Sequence, residues 1–220
     1  MEENARIQEK EKEITMVSKE TILFYKPSLV ITTSRRKSPL TNTFIKCLSR
    51  LLGAPILRRG TSSLDEIAYF VSKEGYEGFI VTYTRLGNPS VLTFYRINQQ
   101  GFFEMFGRLF ILGVYINRSF RGNYDFVALT KECSSDSCDN VYAFLKDFFS
   151  IWQVDSSYAT YDHSLMRVKE LEEFRETWLI KFKDDPKFQP ATIEFWDSKM
   201  RNVLLRIRVH HVWRSGPESK

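Results

Sequence analysis

Long apolar runs are missing from this chain. The densest one, residues 109–116, lies between Arg108 and Asn117, and a membrane helix needs about 20 apolar residues. The start, MEENARIQEKEKE, is acidic and polar and has no apolar signal core. These two absences predict a soluble, cytoplasmic protein. Cysteine is scarce, with three in 220 residues, which excludes a disulfide scaffold. Glycine-rich phosphate loops are absent as well: no GxxxxGK[ST], no GxGxxG and no GxSxG occurs. A nucleotide-hydrolysing or α/β-hydrolase site is therefore not expected. Metal sites fare little better. Cys133 and Cys138 have C-x4-C spacing, Cys47 is far away, and His163 is the only nearby further ligand. Two such cysteines fit unpaired thiols or one local disulfide better than zinc, which wants four ligands. His210-His211 sit beside arginines with no nucleophile motif, and Asp184-Asp185 and Glu172-Glu173 read as solvated turn and helix residues.

One absence is local. Residues 28–63, SLVITTSRRKSPLTNTFIKCLSRLLGAPILRRGTSS, contain no Asp or Glu. The whole chain holds 32 Lys+Arg against 27 Asp+Glu, a net charge of +5 with pI near 9.0. An acid-free window that also carries Arg35, Arg36, Lys37, Lys46, Arg50, Arg58 and Arg59 is a concentrated cationic segment. Leu29-Val30-Ile31, ahead of Arg35-Arg36-Lys37, read as a buried strand. Ser38 reads as a helix N-cap with Pro39 at the first helical position, and Gly53 as the stop. Cations and the hydroxyls of Ser34 and Ser38 thus converge on a strand-to-helix turn. Helix N-terminal N–H groups there also favour an anion. Arg58-Arg59-Gly60 end a second short apolar segment, so the pattern predicts a phosphate-facing edge. A solvated basic loop is the bland alternative.

The rest of the chain supplies a core. Hydrophobic residues make up 43% and aromatics 15%, ample for one large domain or two small ones. Ser62 or Ser63 caps a helix with Leu64, Ile67, Ala68 and Val71 on one face. Residues 78–84 and 91–97 read as two strands joined by the Gly87-Asn88-Pro89 turn. The first half is therefore read as β-α-β-α-β-β. In the second half, residues 110–116 and 126–129 read as strands. Ser137, Cys138 and Asp139 precede a helix bearing Val141, Phe144, Leu145 and Phe148. Residues 178–182, 191–195 and 203–212 read as late strands, and 155–173 have no clear assignment. In the last strand Leu205, Ile207 and Val209 alternate with Arg206, Arg208 and His210, so one face enters the core and the other presents cations. Residues 199–214 are again acid-free. An edge strand charged against aggregation would look similar. Tyr83, Tyr95 and Trp213 lie near basic residues and are candidates for stacking on bases.

The run from Thr32-Thr33-Ser34-Arg35-Arg36 through Ser38, Thr41 and Phe44 to Arg59-Gly60, Ser63-Leu64 and Gly87-Asn88-Pro89 resembles the archaeal branch of the Brix-domain family of ribosome-biogenesis proteins. Leu40, Asn42 and Thr61 stand where that family often carries basic residues. The resemblance implies an α/β fold of two similar half-domains, each like the anticodon-binding domain of class II aminoacyl-tRNA synthetases, with mixed sheets and helices packed on them. Residues 1–27 would be a charged leader outside the domain, 28–214 the Brix-like domain (halves about 28–98 and 107–214) and 215–220 a tail. It also implies a non-catalytic ribosome-biogenesis factor that binds ribosomal RNA or its precursor, assists its processing and meets other assembly factors. No cofactor, membrane or small-molecule substrate is expected. The expected RNA-binding residues are Ser34, Arg35, Arg36, Lys37, Ser38, Lys46, Arg50, Arg58, Arg59, Arg206 and Arg208. A tRNA-binding module, an acidic-protein-binding accessory module and a metal-dependent nuclease are the rival readings.

Overall fold

The acid-free window folds as a buried strand, a tight turn and a helix whose two ends are capped by its own residues. In the computed structural model, residues 21–98, 100–117, 126–153, 177–184, 191–197 and 202–215 are described. β1 is Thr21–Tyr25 and β2 is Leu29–Thr33. Helix α1, Pro39–Leu52, starts where the Ser38 hydroxyl accepts from the Thr41 N–H. It stops at Gly53, whose φ of 61° is left-handed and so suits a residue without a side chain. α2, Leu64–Lys73, opens on a full capping box between Ser63 and Glu66. β3 (Gly78–Arg85), β4 (Asn88–Ile97) and β5 (Phe103–Ile116) follow. Then come β6 (Phe126–Glu132), α3 (Asp136–Phe149), a 3-10 turn (Ser150–Trp152), β7 (Thr177–Asp184), β8 (Ala191–Trp196) and β9 (Val203–Arg214).

All nine described strands join one mixed sheet in the order β1-β6-β7-β8-β9-β5-β4-β3-β2. Only β2–β3 and β6–β7 are parallel. The main core lies on one face of the sheet. It contains Phe44 and Leu48 of α1, Phe144 and Phe148 of α3, and inward residues of strands from β1 to β9. Phe94 of β4 meets Phe144 and Phe148 edge-on at 5.2 and 4.8 Å. Each such buried Phe contributes roughly 2 to 3 kcal/mol by area alone. α2 covers the opposite face, closing Val30, Phe79, Val81 and Tyr95 beneath Ile67, Ala68 and Val71. β5 and β9 approach closely at Gly107, where a Cβ would stand 2.4 Å from the Trp213 carbonyl oxygen.

The differences from the sequence reading have physical causes. Residues 21–25, placed outside the domain, form a strand of the sheet: β1 pairs with β6 and buries Phe24 completely. Its short length hid it, because the continuous apolar run Ile22-Leu23-Phe24-Tyr25 shows no alternation. Residues 55–57 make a single parallel bridge, Ile31 to Ile56, and no longer strand. β5 begins at Phe103, because residues 103–107 pair with Ile97 to Phe94 of β4. α3 begins at Asp136, capped by Ser135. The division into two half-domains is not drawn by any break, because the sheet is continuous and the main core takes residues from both halves. The unassigned stretch 155–173, with His163, Glu172 and Glu173, and also Asp185, lie outside the described residues.

Candidate nucleic-acid interface

The turn between β2 and α1 is built from hydroxyls and backbone. After Thr33 leaves the β2–β3 ladder, the Ser34 N–H donates to the Thr82 carbonyl at 2.8 Å. The Ser34 hydroxyl donates to the Arg36 carbonyl at 2.7 Å and bends the chain back. The Ser38 hydroxyl reaches the Gly87 carbonyl of the β3–β4 turn at 2.5 Å. Thr41 and Thr84 hydroxyls meet at 2.9 Å. Strand end, helix start and hairpin are thereby tied into one unit. The hairpin needs left-handed backbone at Leu86 and Gly87 (φ 49° and 81°).

The second cationic segment arrives at the same end of the sheet. The Leu57 N–H donates to the Ile31 carbonyl and the Thr32 hydroxyl donates to the Leu57 carbonyl, at 2.9 and 2.8 Å. Arg58 and Arg59 therefore emerge beside the end of β2. Arg35, Arg36, Lys37 and Arg58 are exposed, and Arg59 is half-buried with its Nε donating to the Ser62 carbonyl at 3.1 Å. No carboxylate pairs with any of these five among the described residues. The fold places Ser34, Arg35, Arg36, Lys37, Ser38, Arg58 and Arg59 around the end of β2.

The remaining expected residues do not join them. Lys46 and Arg50 are exposed on the solvent side of α1, the side of the sheet that carries the main core. Beneath them the buried Cys47 thiol is pushed up to about 11 by burial, with Arg50 pulling the other way. Arg206 and Arg208 alternate with the core residues Leu205, Ile207 and Val209 and so face the opposite side. Arg206 is also engaged: its Nε and a terminal nitrogen both reach Glu194 at 2.7 Å. Glu194 is only 4% exposed and further takes Lys183 at 3.0 Å and the Trp196 indole N–H at 3.1 Å. Glu132 extends this ladder to Lys181 at 3.1 Å. Such a row neutralises a buried carboxylate, so Arg206 is held by its own sheet.

Two cations escaped the sequence reading. Arg85 closes β3 at the same sheet end as the turn and is exposed; its place just before Gly87-Asn88-Pro89 was the available signal. Arg108 stacks over Trp213 at 5.6 Å on the α2 side of the sheet. Near it the Tyr95 hydroxyl is pushed up to about 12, first by burial and then by Tyr83, while Arg108 and Arg59 pull it down. Tyr95 is buried and stacked on Phe79 at 4.6 Å, so it has no free face for a base. Trp213 remains 42% exposed.

The second strand-to-helix turn has the opposite chemistry. Cys133 and Cys138 form a disulfide. Between them the N–H and hydroxyl of Ser134 donate to Asp184 at 2.9 and 3.2 Å, and both donors of Ser135 reach the same carboxylate. Asp184 is therefore a helix-capping anion rather than a solvated turn residue. Burial pushes its carboxyl up, but these hydrogen bonds outweigh that and hold it below the ordinary value. With both sulfurs bonded to each other and the carboxylate taken, this cluster does not fit a metal ion.

No family model matches the sequence, and no curated protein does. Solved structures do. Mil, an archaeal Imp4-like protein, aligns with a TM-score of 0.57 at 20% identity over 85% of this chain and 99% of its own. A probable ribosomal biogenesis protein from Aeropyrum pernix K1 aligns with a TM-score of 0.56 at 19% identity over 86% of this chain and 97% of its own. The chain has the fold of these two proteins, in agreement with the Brix-domain resemblance carried by its first half.

Proposed function

We propose that this chain is a non-catalytic ribosome-assembly factor that binds ribosomal RNA through the basic end of its sheet. The observation that carries the reading is the group Arg35, Arg36, Lys37 and Arg58: exposed, without carboxylate partners among the described residues, and set on a hydrogen-bonded turn at a helix N-terminus. Phosphodiester groups are the ligands such a site suits. The named functions of the structural neighbours, Imp4-like and ribosomal biogenesis, support the biological setting. Arg59 and Arg85 belong to the same footprint. Lys46 and Arg50 would meet RNA only where it passes over α1, and Arg208 only where it passes over the far face. Such contacts fix position and affinity but little sequence, so RNA shape supplies selectivity. The repeated order of pairings, one parallel and then two antiparallel in β2–β5 and in β6–β9, supports reading the chain as two related halves.

Competition separates this reading from its rivals. A labelled structured fragment of ribosomal RNA is bound and then challenged with unlabelled fragment or with tRNA. The expected result is displacement by the fragment at a concentration at least tenfold below that of tRNA. Equal competition would favour a tRNA-binding module. Absence of RNA binding at about 0.1 M salt would move the basic end to an acidic protein partner.

A further inference from the structure

The disulfide between Cys133 and Cys138 closes a loop around the residues that seat Asp184. Cys133 follows the end of β6, and Cys138 is the third residue of α3, with their Cα atoms 6.1 Å apart. Everything Asp184 accepts from Ser134 and Ser135 lies inside that loop. Ser135 is also the N-cap, accepting from the Cys138 N–H at 3.3 Å. One covalent bond therefore spans the helix cap, its carboxylate and the end of β6.

The two sulfurs differ in access. Cys138 is wholly buried in the main core, whereas Cys133 is only partly buried and packs at its margin. We propose that this pair is a thiol–disulfide exchange site, entered by an external thiolate at Cys133, whose oxidation state sets whether the turn opening α3 is locked. An attacking thiolate bonds to the Cys133 sulfur and breaks the S–S bond. The electron pair leaves on Cys138, which takes up the proton given up by the attacking thiol and rests as a buried thiol beside the Asp184 carboxylate. With a dithiol, its second thiolate attacks the mixed disulfide and releases Cys133. The protein has then gained two electrons, and the dithiol has become a cyclic disulfide. Closing so short a loop removes little chain entropy, so the bond chiefly orders the turn, and reduction loosens it without unfolding the protein. Cys47 does not compete: it is buried on α1 and its thiol is pushed up to about 11.

The test uses the full chain purified without reductant. Iodoacetamide under native conditions should label none of the three cysteines, and under denaturing conditions Cys47 alone. After dithiothreitol, Cys133 should be labelled under native conditions. Glutathione should give a mixed disulfide that peptide mass spectrometry places on Cys133. Reduction should speed amide exchange at Ser134, Ser135 and Cys138 at least tenfold, and leave Ser34 and Thr41 in the basic turn unchanged. The variant carrying Cys133→Ser and Cys138→Ser should exchange like reduced wild type. Free Cys133 and Cys138 after air exposure would overturn the proposal. So would a glutathione adduct on Cys138, or exchange at α3 that ignores reduction. None of these readouts depends on RNA, so the inference stands or falls apart from the proposed function.

Discussion

Asp184 shows how much a single residue's role depends on partners distant in sequence. Beside Asp185 and Pro186 it reads as turn polarity, yet it caps α3 through Ser134 and Ser135, 50 and 49 residues away. Nothing local announces that contact. Its carboxyl sits lower in the folded chain than the ordinary value near 4. A depressed carboxyl stabilises the fold above its unfolded pKa, and that contribution disappears as pH falls through the folded value. Asp184→Asn should therefore be less stable at pH 7 and lose less on acidification. Urea midpoints from pH 7 to pH 2 should converge for the two proteins at the acid end; parallel curves would contradict the capping role. Arg206 teaches the same lesson in reverse. Its alternation with core residues correctly placed it on the outer side of β9, but not the buried Glu194 that claims it. The cations of residues 35–37 were legible because their neighbours in sequence are also their neighbours in space.

Elements with local stop and start signals were the ones sequence could read. Ser38-Pro39 and Gly53 bound α1 because capping is a contact across three or four residues. Ser63 and Glu66 bound α2 in the same way. β1 and the full length of β5 were not legible, since both are defined by the strands beside them. The β2–α1 turn lies between these cases: its sequence was visible, while its tie to the Gly87 hairpin was not. That tie makes Ser38 more than a helix cap. Ser38→Ala should cost about 1 kcal/mol of stability, measured by urea denaturation. It should also weaken RNA binding, because the turn loses its anchor to Gly87. Loss of stability with unchanged RNA affinity would detach the turn from the interface.

At the scale of the molecule, a continuous sheet and a core shared by α1 and α3 couple the two halves of the chain. Arg96 of β4 adds to this, donating to the Asp147 and Phe148 carbonyls at the end of α3. Unfolding should therefore be one transition, with far-ultraviolet circular dichroism and tryptophan fluorescence coinciding; two separated transitions would show independent halves. The same architecture sorts the cations, with Lys46 and Arg50 on the core side, Arg206 and Arg208 on the other, and the basic turn at the sheet's end. The central claim is that this end holds phosphates. Its most direct test is the salt dependence of ribosomal RNA binding, for wild type and for a variant with Arg35, Arg36, Arg58 and Arg59 all changed to Ala. Each lost phosphate contact should flatten the slope of log K against log salt by roughly 0.7 to 0.9, or about 3 in all. A variant that binds more weakly and with that flatter slope is the predicted result. A variant with wild-type affinity and slope would show that the basic end is ordinary surface.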